Sequence, residues 1–440
     1  MPKVLLSFIG RNKYERCVYV NPQTQEQSPV VRFVTEAICV LNCQNWTEND
    51  RIFIFLTPDA RTANWLGKAY ENDPDDTLGL KERLNNLGLK AKIEPIEIKE
   101  GFDETEIWAN FQTIFDCINE RDAIYLDITN AFRSIPIFAT TLMNYTEFLK
   151  KGVNLKAIYY GIFEKLGPVY EVVKKYPNPA DRLVPILDLK SIVELQDWTS
   201  AANDFLQHGN ATALAKQAEM AKFPSSREFA VNLNALTGAF STVRGKKMTT
   251  GLVFSDLRQN IQDIERDAPR PLKPILEKIN AELQPFQSDD ILNGFRAIEW
   301  CLNHKLYQQG ITLMREAIVS YIGHKLGLDF SNKNERAIVE KAFTIQLQKL
   351  PPHPTPQIVQ KALRQFTPPR GLSAEDFVNG ITLVCRNPTF RALHPIYTEI
   401  SYEYRNDINH GGYMSDAKES DEFVLILFRK YDELKKIIAF

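Results

Sequence analysis

Short apolar runs recur along the N-terminal half of the chain, each followed by a segment of helical period. This alternation constrains the fold more than any other feature. Val4–Ile9 and Arg51–Leu56 are continuous hydrophobic runs, as expected of strands buried on both faces. Ala91–Ile98, Ala123–Ile128 and Leu155–Ile162 supply three more, and Val169–Val173 reads as an antiparallel edge strand. Between them lie an amphipathic helix carrying Val31, Val34, Ile38 and Leu41, helical patterns around 59–71 and 77–87, and helices around 104–119 and 136–150. Strands alternating with helices on short connections predict a parallel sheet covered on both faces. Such a sheet binds ligands beyond the carboxyl ends of its strands.

Three places stand at those ends: the polar loop Gly10-Arg11-Asn12-Lys13-Tyr14, then Thr57, then the segment from Asp127 to Pro136. The last is the richest. A buried strand runs into Asp127, Thr129 and Asn130, then Arg133 and Ser134, and Pro136 suits the first turn of a helix. Free backbone N–H groups and the positive end of the helix dipole would face an anion there. Read as structure alone, the same segment is a capped helix with an exposed arginine. No Gly-x-Gly-x-x-Gly follows the first strand, and no Gly-Lys-Ser/Thr phosphate loop occurs. Both facts argue against a dinucleotide coenzyme and ATP hydrolysis.

From about residue 181 the pattern turns helical, with Pro177, Pro179 and Pro185 at the boundary and a helix over 186–206. Arg244-Gly245-Lys246-Lys247 reads as a solvated turn, and the proline-rich stretch 351–369 as an exposed loop. Ile311, Met314, Ile318 and Tyr321 share a face of a helix stopping near Gly327. Asp421 is placed to cap a last helix bearing Val424, Leu427, Phe428, Tyr431, Leu434 and Ile438. The resulting expectation is an α/β domain over 1–185, a helical connecting region over 186–290 and a helical domain over 291–440.

The 440 residues carry a net charge of −2, so any nucleic-acid site must be a local patch or a small cleft. The chain enters a strand within a few residues of Met1, which predicts no signal peptide. No apolar stretch reaches the ~20 residues needed to span a bilayer. The six cysteines lack paired metal-ligand spacing, and Cys39 and Cys43, one helical turn apart, read as core thiols. The expectation is a cytoplasmic, reduced protein with no structural metal.

Near the C-terminus stands Arg405-Asn406-Asp407-Ile408-Asn409-His410, followed by Gly411-Gly412 as a helix cap. Arginine is a permanent cation shaped to grip a phosphate, whereas histidine exchanges a proton near neutral pH. Together they suit phosphodiester cleavage: histidine relays protons to and from an RNA 2′-hydroxyl and 5′-oxygen, and arginine stabilises charge on the phosphate. Five residues on an ideal helix turn about 140°. Either the helix loosens at Asn409–Gly411, or both side chains border a cleft completed by another surface, such as a second copy across a two-fold axis.

Two local patterns carry a family resemblance. Asp127-Ile128-Thr129-x-x-Phe132-Arg133-Ser134-x-Pro136 resembles the ligand-binding signature of CARF domains, and Arg405-x4-His410 resembles the HEPN ribonuclease motif. Their order, a Rossmann-like domain first and a helical domain last, resembles the ancillary ribonucleases of type III CRISPR systems. Leu5-Leu6-Ser7-Phe8-Ile9-Gly10 and Leu306-Tyr307-Gln308-Gln309-Gly310 are similar to that family as well. The resemblance implies a homodimer, open to further assembly, that cleaves single-stranded RNA without a metal or other cofactor. A cyclic oligoadenylate activator, four adenylates favoured and six next, would bind across the two CARF domains. It implies Arg405 and His410 as catalytic, with Asn406 as their polar neighbour. Asp127, Thr129, Asn130, Arg133 and Ser134 are implied as ligand-binding, together with Ser7, Gly10, Asn12 and Thr57. A non-catalytic ligand-sensing regulator and a self-limiting enzyme that also degrades its activator are the alternatives.

Overall fold

The computed structural model describes residues 1–130, 135–363, 366–413, 415 and 417–439, with the backbone alone for 135–139. It divides into two compact units, Met1–Glu194 and Leu195–Phe440.

The first unit is a Rossmann-like, mostly parallel eight-stranded sheet: β1 (Lys3–Ile9), β2 (Cys17–Val20), β3 (Gln27–Val31), β4 (Arg51–Leu56), β5 (Lys92–Glu97), β6 (Ala123–Asp127), β7 (Asn154–Gly161) and β8 (Leu183–Asp188). The spatial order is β3-β2-β8-β7-β6-β1-β4-β5. β7, β6, β1, β4 and β5 run parallel, as the alternation predicts. Alternate side chains of β1 and β4 serve opposite faces. Leu5, Ile9, Ile52, Ile54 and Leu56 join one core, whereas Val4, Leu6, Phe8, Phe53 and Phe55 join the other. Burial on both faces is why these strands read as unbroken apolar runs. Cys39 and Cys43 are buried thiols in the first core, as expected.

Four features of this unit depart from the sequence reading. β2 and β3 form an antiparallel pair where a loop was expected, and β2 also pairs with β8. Val169–Val173 belongs to a helix, Val169–Lys175, introduced by Pro168; it buries only Val172, and Lys174 and Lys175 complement its C-terminal dipole. The expected helix over 186–206 begins later, at Lys190. Pro185 lies inside β8 instead of breaking the chain; its carbonyl accepts from Ile162 N at 3.0 Å, a bond that needs no N–H from proline.

The second unit is helical, with one continuous core running from Trp198 to Ile438. Ser373 caps the helix Ala374–Arg386 by accepting from Asp376 N, and Asn387 caps Pro388–Glu399 by accepting from Phe390 N. Tyr307–Lys325 ends before Gly327, which adopts a left-handed φ of 72°. Three local expectations change. The basic Arg244–Lys247 stretch enters a short helix, Gly245–Thr250. The proline-rich stretch contains the helix Pro356–Ala362, anchored by buried Val359. The last helix, Ser420–Ile437, is capped by Glu419 and Glu422 in a reciprocal capping box, so Asp421 falls inside it.

Candidate functional site

The sheet edge is built first. β1 lies between β6 and β4 in parallel register, with Ser7 beside Asp127 and Ile9 beside Leu56, so the carboxyl ends of all three strands share one edge. From β1 the chain lays β4 and β5 on one side and β6 and β7 on the other. The strand order therefore reverses between β1 and β6, where open α/β sheets place their ligand crevice.

At that edge Asp127 is fully buried. Its Oδ2 accepts from Ser7 Oγ at 2.7 Å and from Thr35 Oγ1 at 3.5 Å, and its Oδ1 accepts from Thr129 N at 3.0 Å. Burial pushes the Asp127 carboxyl above its ordinary value, and hydrogen bonds from Ser7, Thr129 and Thr35 pull it back part of the way. The Thr129 hydroxyl in turn accepts from Gly161 N at 2.9 Å, tying the end of β6 to the end of β7. Thr57 is also buried, and its hydroxyl accepts from Ala60 N at 3.4 Å.

Ser7, Thr57 and Asp127 thus stand behind the edge, where they hold the strand ends, instead of presenting side chains at its surface. Gly10, Thr129 and Asn130 are half-buried, and Asn12 is exposed. A Cβ on Gly10 would come within 3.9 Å of the Asn130 carbonyl, so the two segments meet. Arg133 and Ser134, with Ala131 and Phe132, lie outside the described residues.

Sequence reasoning missed the frame under the Gly10 loop. Asn64, fully buried in the π-helical turn Arg61–Trp65, donates to the carbonyls of Gly10 at 2.6 Å and Asn12 at 2.9 Å. Its Oδ1 accepts from Tyr70 Oη at 2.6 Å, and that hydroxyl accepts from Tyr14 N at 3.0 Å. Buried Arg32 donates to the Tyr14 carbonyl at 3.0 Å and pairs with Asp73 at 2.7 Å. No local signal announces Asn64, because its partners lie 54 and 52 residues away.

In the helical unit, Pro388–Glu399 continues as a π-helical turn, Ile400–Tyr404, and then as the α-helix Arg405–His410. Arg405 N donates back to Ile400 O across the wider turn. Lys430 pairs with Glu399 at 2.7 Å, and Arg429 pairs with the same carboxylate; these contacts hold the segment against Ser420–Ile437. Tyr404 packs edge-on to Phe423. Gly411, at φ 63°, caps the helix, and its N–H returns to Ile408 O at 3.1 Å. The helix stays α-helical through His410, so the expected loosening at Asn409–Gly411 is not what occurs; the irregular turn lies before Arg405. Arg405 and His410 keep their divergence of about 140°.

Asn406 and His410 are exposed, whereas Arg405 is half-buried. Asp407 is buried, and its Oδ2 accepts from Lys418 N at 2.7 Å, which pins the chain after the glycines back onto this helix. Two buried polar atoms, Arg405 Nε and Asp407 Oδ1, have no hydrogen-bond partner among the described residues. Among the described residues no cluster of three potential metal ligands occurs, and no helix is long and apolar enough to cross a membrane.

Fold and site together define a class: a Rossmann-like sheet unit followed by a helical unit that ends in an arginine–histidine helix. The chain is 28% identical over 274 residues to the CRISPR-associated protein MJ1674 of Methanocaldococcus jannaschii. The match covers 60% of this chain and 38% of that protein, so the chain spans well under half the length of the curated relative it matches. That match supports the resemblance to CRISPR-associated proteins read from the sequence. Enterococcus italicus Csm6 bound to cyclic hexa-2′-fluoro-hexa-dAMP is a further similar structure. It is 13% identical with a TM-score of 0.46, over 99% of this chain and 94% of that one. No family model matches the chain.

Proposed function

We propose that the protein is an endoribonuclease of the HEPN type that cleaves single-stranded RNA and is switched on by a cyclic oligoadenylate in type III CRISPR antiviral defence. The observation that carries the reading is that Arg405, which forms no ion pair among the described residues, shares one short helix with an exposed, glycine-capped His410. A phosphate supplies the acceptor that Arg405 lacks. Neutral His410 takes the proton of the RNA 2′-hydroxyl as its oxygen attacks the adjacent phosphorus. Protonated His410 then gives a proton to the departing 5′-oxygen, leaving a 2′,3′-cyclic phosphate and a 5′-hydroxyl. Arg405 stabilises the charge that builds on the phosphoryl oxygens, and Asn406 is the polar neighbour of the pair. The nucleophile belongs to the substrate, so this route requires no metal-bound water.

The divergence of Arg405 and His410 is met by a homodimer that doubles the pair across a two-fold axis. Tyr402, Leu425 and Phe428, exposed by 54%, 67% and 49% on the flanking elements, give such a dimer an apolar seam. On the sheet unit, Gly10, Asn12, Thr129, Asn130, Arg133 and Ser134 contact the activator, with Ser7, Thr57 and Asp127 holding them from behind. Four adenylates are favoured over six by family resemblance. The division 1–185, 186–290 and 291–440 into sensor, connector and nuclease, and action in the cytoplasm, belong to the same proposal.

The test is cleavage of labelled RNA in EDTA with a panel of cyclic oligoadenylates. Activator-dependent cleavage is expected to fall by roughly 10²–10⁴-fold in Arg405→Ala and His410→Ala proteins that still bind activator. An unimpaired double variant sinks the active site. Absence of cleavage with every ring, alongside tight ring binding, favours the non-catalytic sensor.

A further inference from the structure

The helical unit holds a cavity of about 370 Å³ that the ribonuclease reading does not use. Its walls come from the short helix Gly245–Thr250, from Ile291 and Gly294, from one face of Tyr307–Lys325, and from Phe330, Ser331 and Arg336. The size falls within the range of about 300–1,000 Å³ typical of small-molecule pockets.

The lining has two characters. Ile291, Leu313, Ala317 and Phe330 make an apolar floor with one aromatic ring. Around it stand the hydroxyls of Thr312, Ser320 and Ser331, the carboxylate of Glu316 and the cations Lys246 and Arg336. Glu316 and Glu340 balance Arg315 and Arg336, and Lys246 lies in the field of Asp329. Glu316 is already paired with both Arg315 and Arg336. Among the described residues Lys246 has no carboxylate within ion-pairing distance. Arg336 is held in place by Glu316, by Ser320 Oγ at 2.9 Å and by Glu340 at 3.4 Å; of its five N–H donors about two remain for a ligand. At the rim Val243 adopts φ 55°, a left-handed conformation costly for a β-branched residue.

We propose that this cavity binds a nucleoside monophosphate. The phosphate lies against Lys246 and the spare N–H groups of Arg336, the base packs flat over Phe330 and the apolar floor, and the threonine and serine hydroxyls meet the ribose. Two sources share that chemistry, a free mononucleotide and the phosphorylated end of an RNA. The site is independent of the Arg405–His410 assignment, and its test reads binding instead of cleavage.

Gly245 provides a clean way to close the cavity, because a Cβ there meets nothing within 4 Å and its backbone needs no left-handed φ. Calorimetry on the full chain with the four nucleoside monophosphates, sodium phosphate, benzoate and a 3′-phosphorylated tetranucleotide is the experiment. Saturable one-to-one binding of at least one mononucleotide is expected, weakened tenfold or more in Gly245→Leu and in Lys246→Glu proteins that melt as the parent does. Tetranucleotide binding tighter than that of every mononucleotide, and lost in the same variants, assigns the site to an RNA end; the reverse order assigns it to the free nucleotide. Binding of phosphate or benzoate as tight as that of nucleotides overturns the proposal. So does nucleotide binding that survives both substitutions, or no saturable nucleotide binding at all.

Discussion

At the residue scale, the sheet-edge site rests on side chains that do not reach its surface. Asn64 carries two donations to loop carbonyls and one acceptance from Tyr70, all in a buried place. Asn64→Ala leaves those groups without partners and is expected to cost roughly 1–3 kcal/mol, read by urea unfolding. Under the proposed function it also raises the activator concentration for half-maximal cleavage about tenfold or more, with little loss of rate at saturation. A loss confined to the saturated rate would assign Asn64 to a different step. Asp127 gives a pH test. Burial raises its carboxyl above the ordinary 3.8, so the folded state binds this proton more tightly than the unfolded chain does. Its stabilising contribution is complete below the unfolded value and is lost as pH rises through the folded one. Asp127→Asn removes that titration. The stability of the parent relative to the variant should therefore fall as pH rises above the ordinary 3.8; a difference that stays flat or rises with pH refutes the assignment. Arg405, His410 and Asp127 could be singled out as candidates from sequence because each is a chemically loaded type beside a strand or helix end, although the buried place of Asp127 could not. Asn64, Tyr70 and Arg32 were not, because their meaning lies in partners tens of residues away.

At the scale of elements, backbone form decides where the reacting side chains point. Gly411 holds φ 63° at the cap that sets His410, and a β-carbon there would meet only ordinary contacts, so the penalty of a substitution is backbone strain. Gly411→Ala should destabilise by about 1–2 kcal/mol. Gly238 lies inside the helix Ser226–Ser241 with open space around it, so Gly238→Ala should stabilise by about 0.5–1 kcal/mol. Paired chemical denaturation curves test both, and equal signs would contradict this account. Under the proposed function only Gly411→Ala lowers the cleavage rate. Of the five parallel strands, β1, β4 and β6 could be read from sequence because burial on both faces leaves a nearly continuous apolar signal, whereas β5 and β7 were legible from their place in the strand–helix alternation. β2 and β3 were not, since Cys17–Val20 is only four residues long and Gln27–Val31, at the sheet edge, carries polar residues and a proline among the apolar ones. The π-helical turn was also invisible: Ile400–Tyr404 has an ordinary helical composition, and only its hydrogen bonds reveal the wider turn.

At the scale of the whole molecule, the two units form a switch only if the activator favours one arrangement of the protein over another. A ligand that binds both arrangements equally shifts nothing, however tightly it binds. Linkage then imposes a symmetry on binding that requires no knowledge of the path between the sites. If activator tightens RNA binding by some factor, RNA must tighten activator binding by the same factor. His410→Ala makes this measurable, because under the proposed function it retains Arg405 for the phosphate while the substrate stays intact. In that variant, RNA affinity measured with saturating cyclic tetra-adenylate and without it should differ by about 5–150-fold, the usual range of allosteric coupling. The activator affinity measured with saturating RNA and without it should change by that same factor. Unequal factors would mean a third linked equilibrium, of which dimer assembly is the first to test by repeating both titrations at two protein concentrations. A factor near one in both directions, in a protein whose parent form is activated, would place the switch in the chemical step itself and not in binding. Activation would then consist of bringing the diverging Arg405 and His410 side chains together around a phosphate already bound.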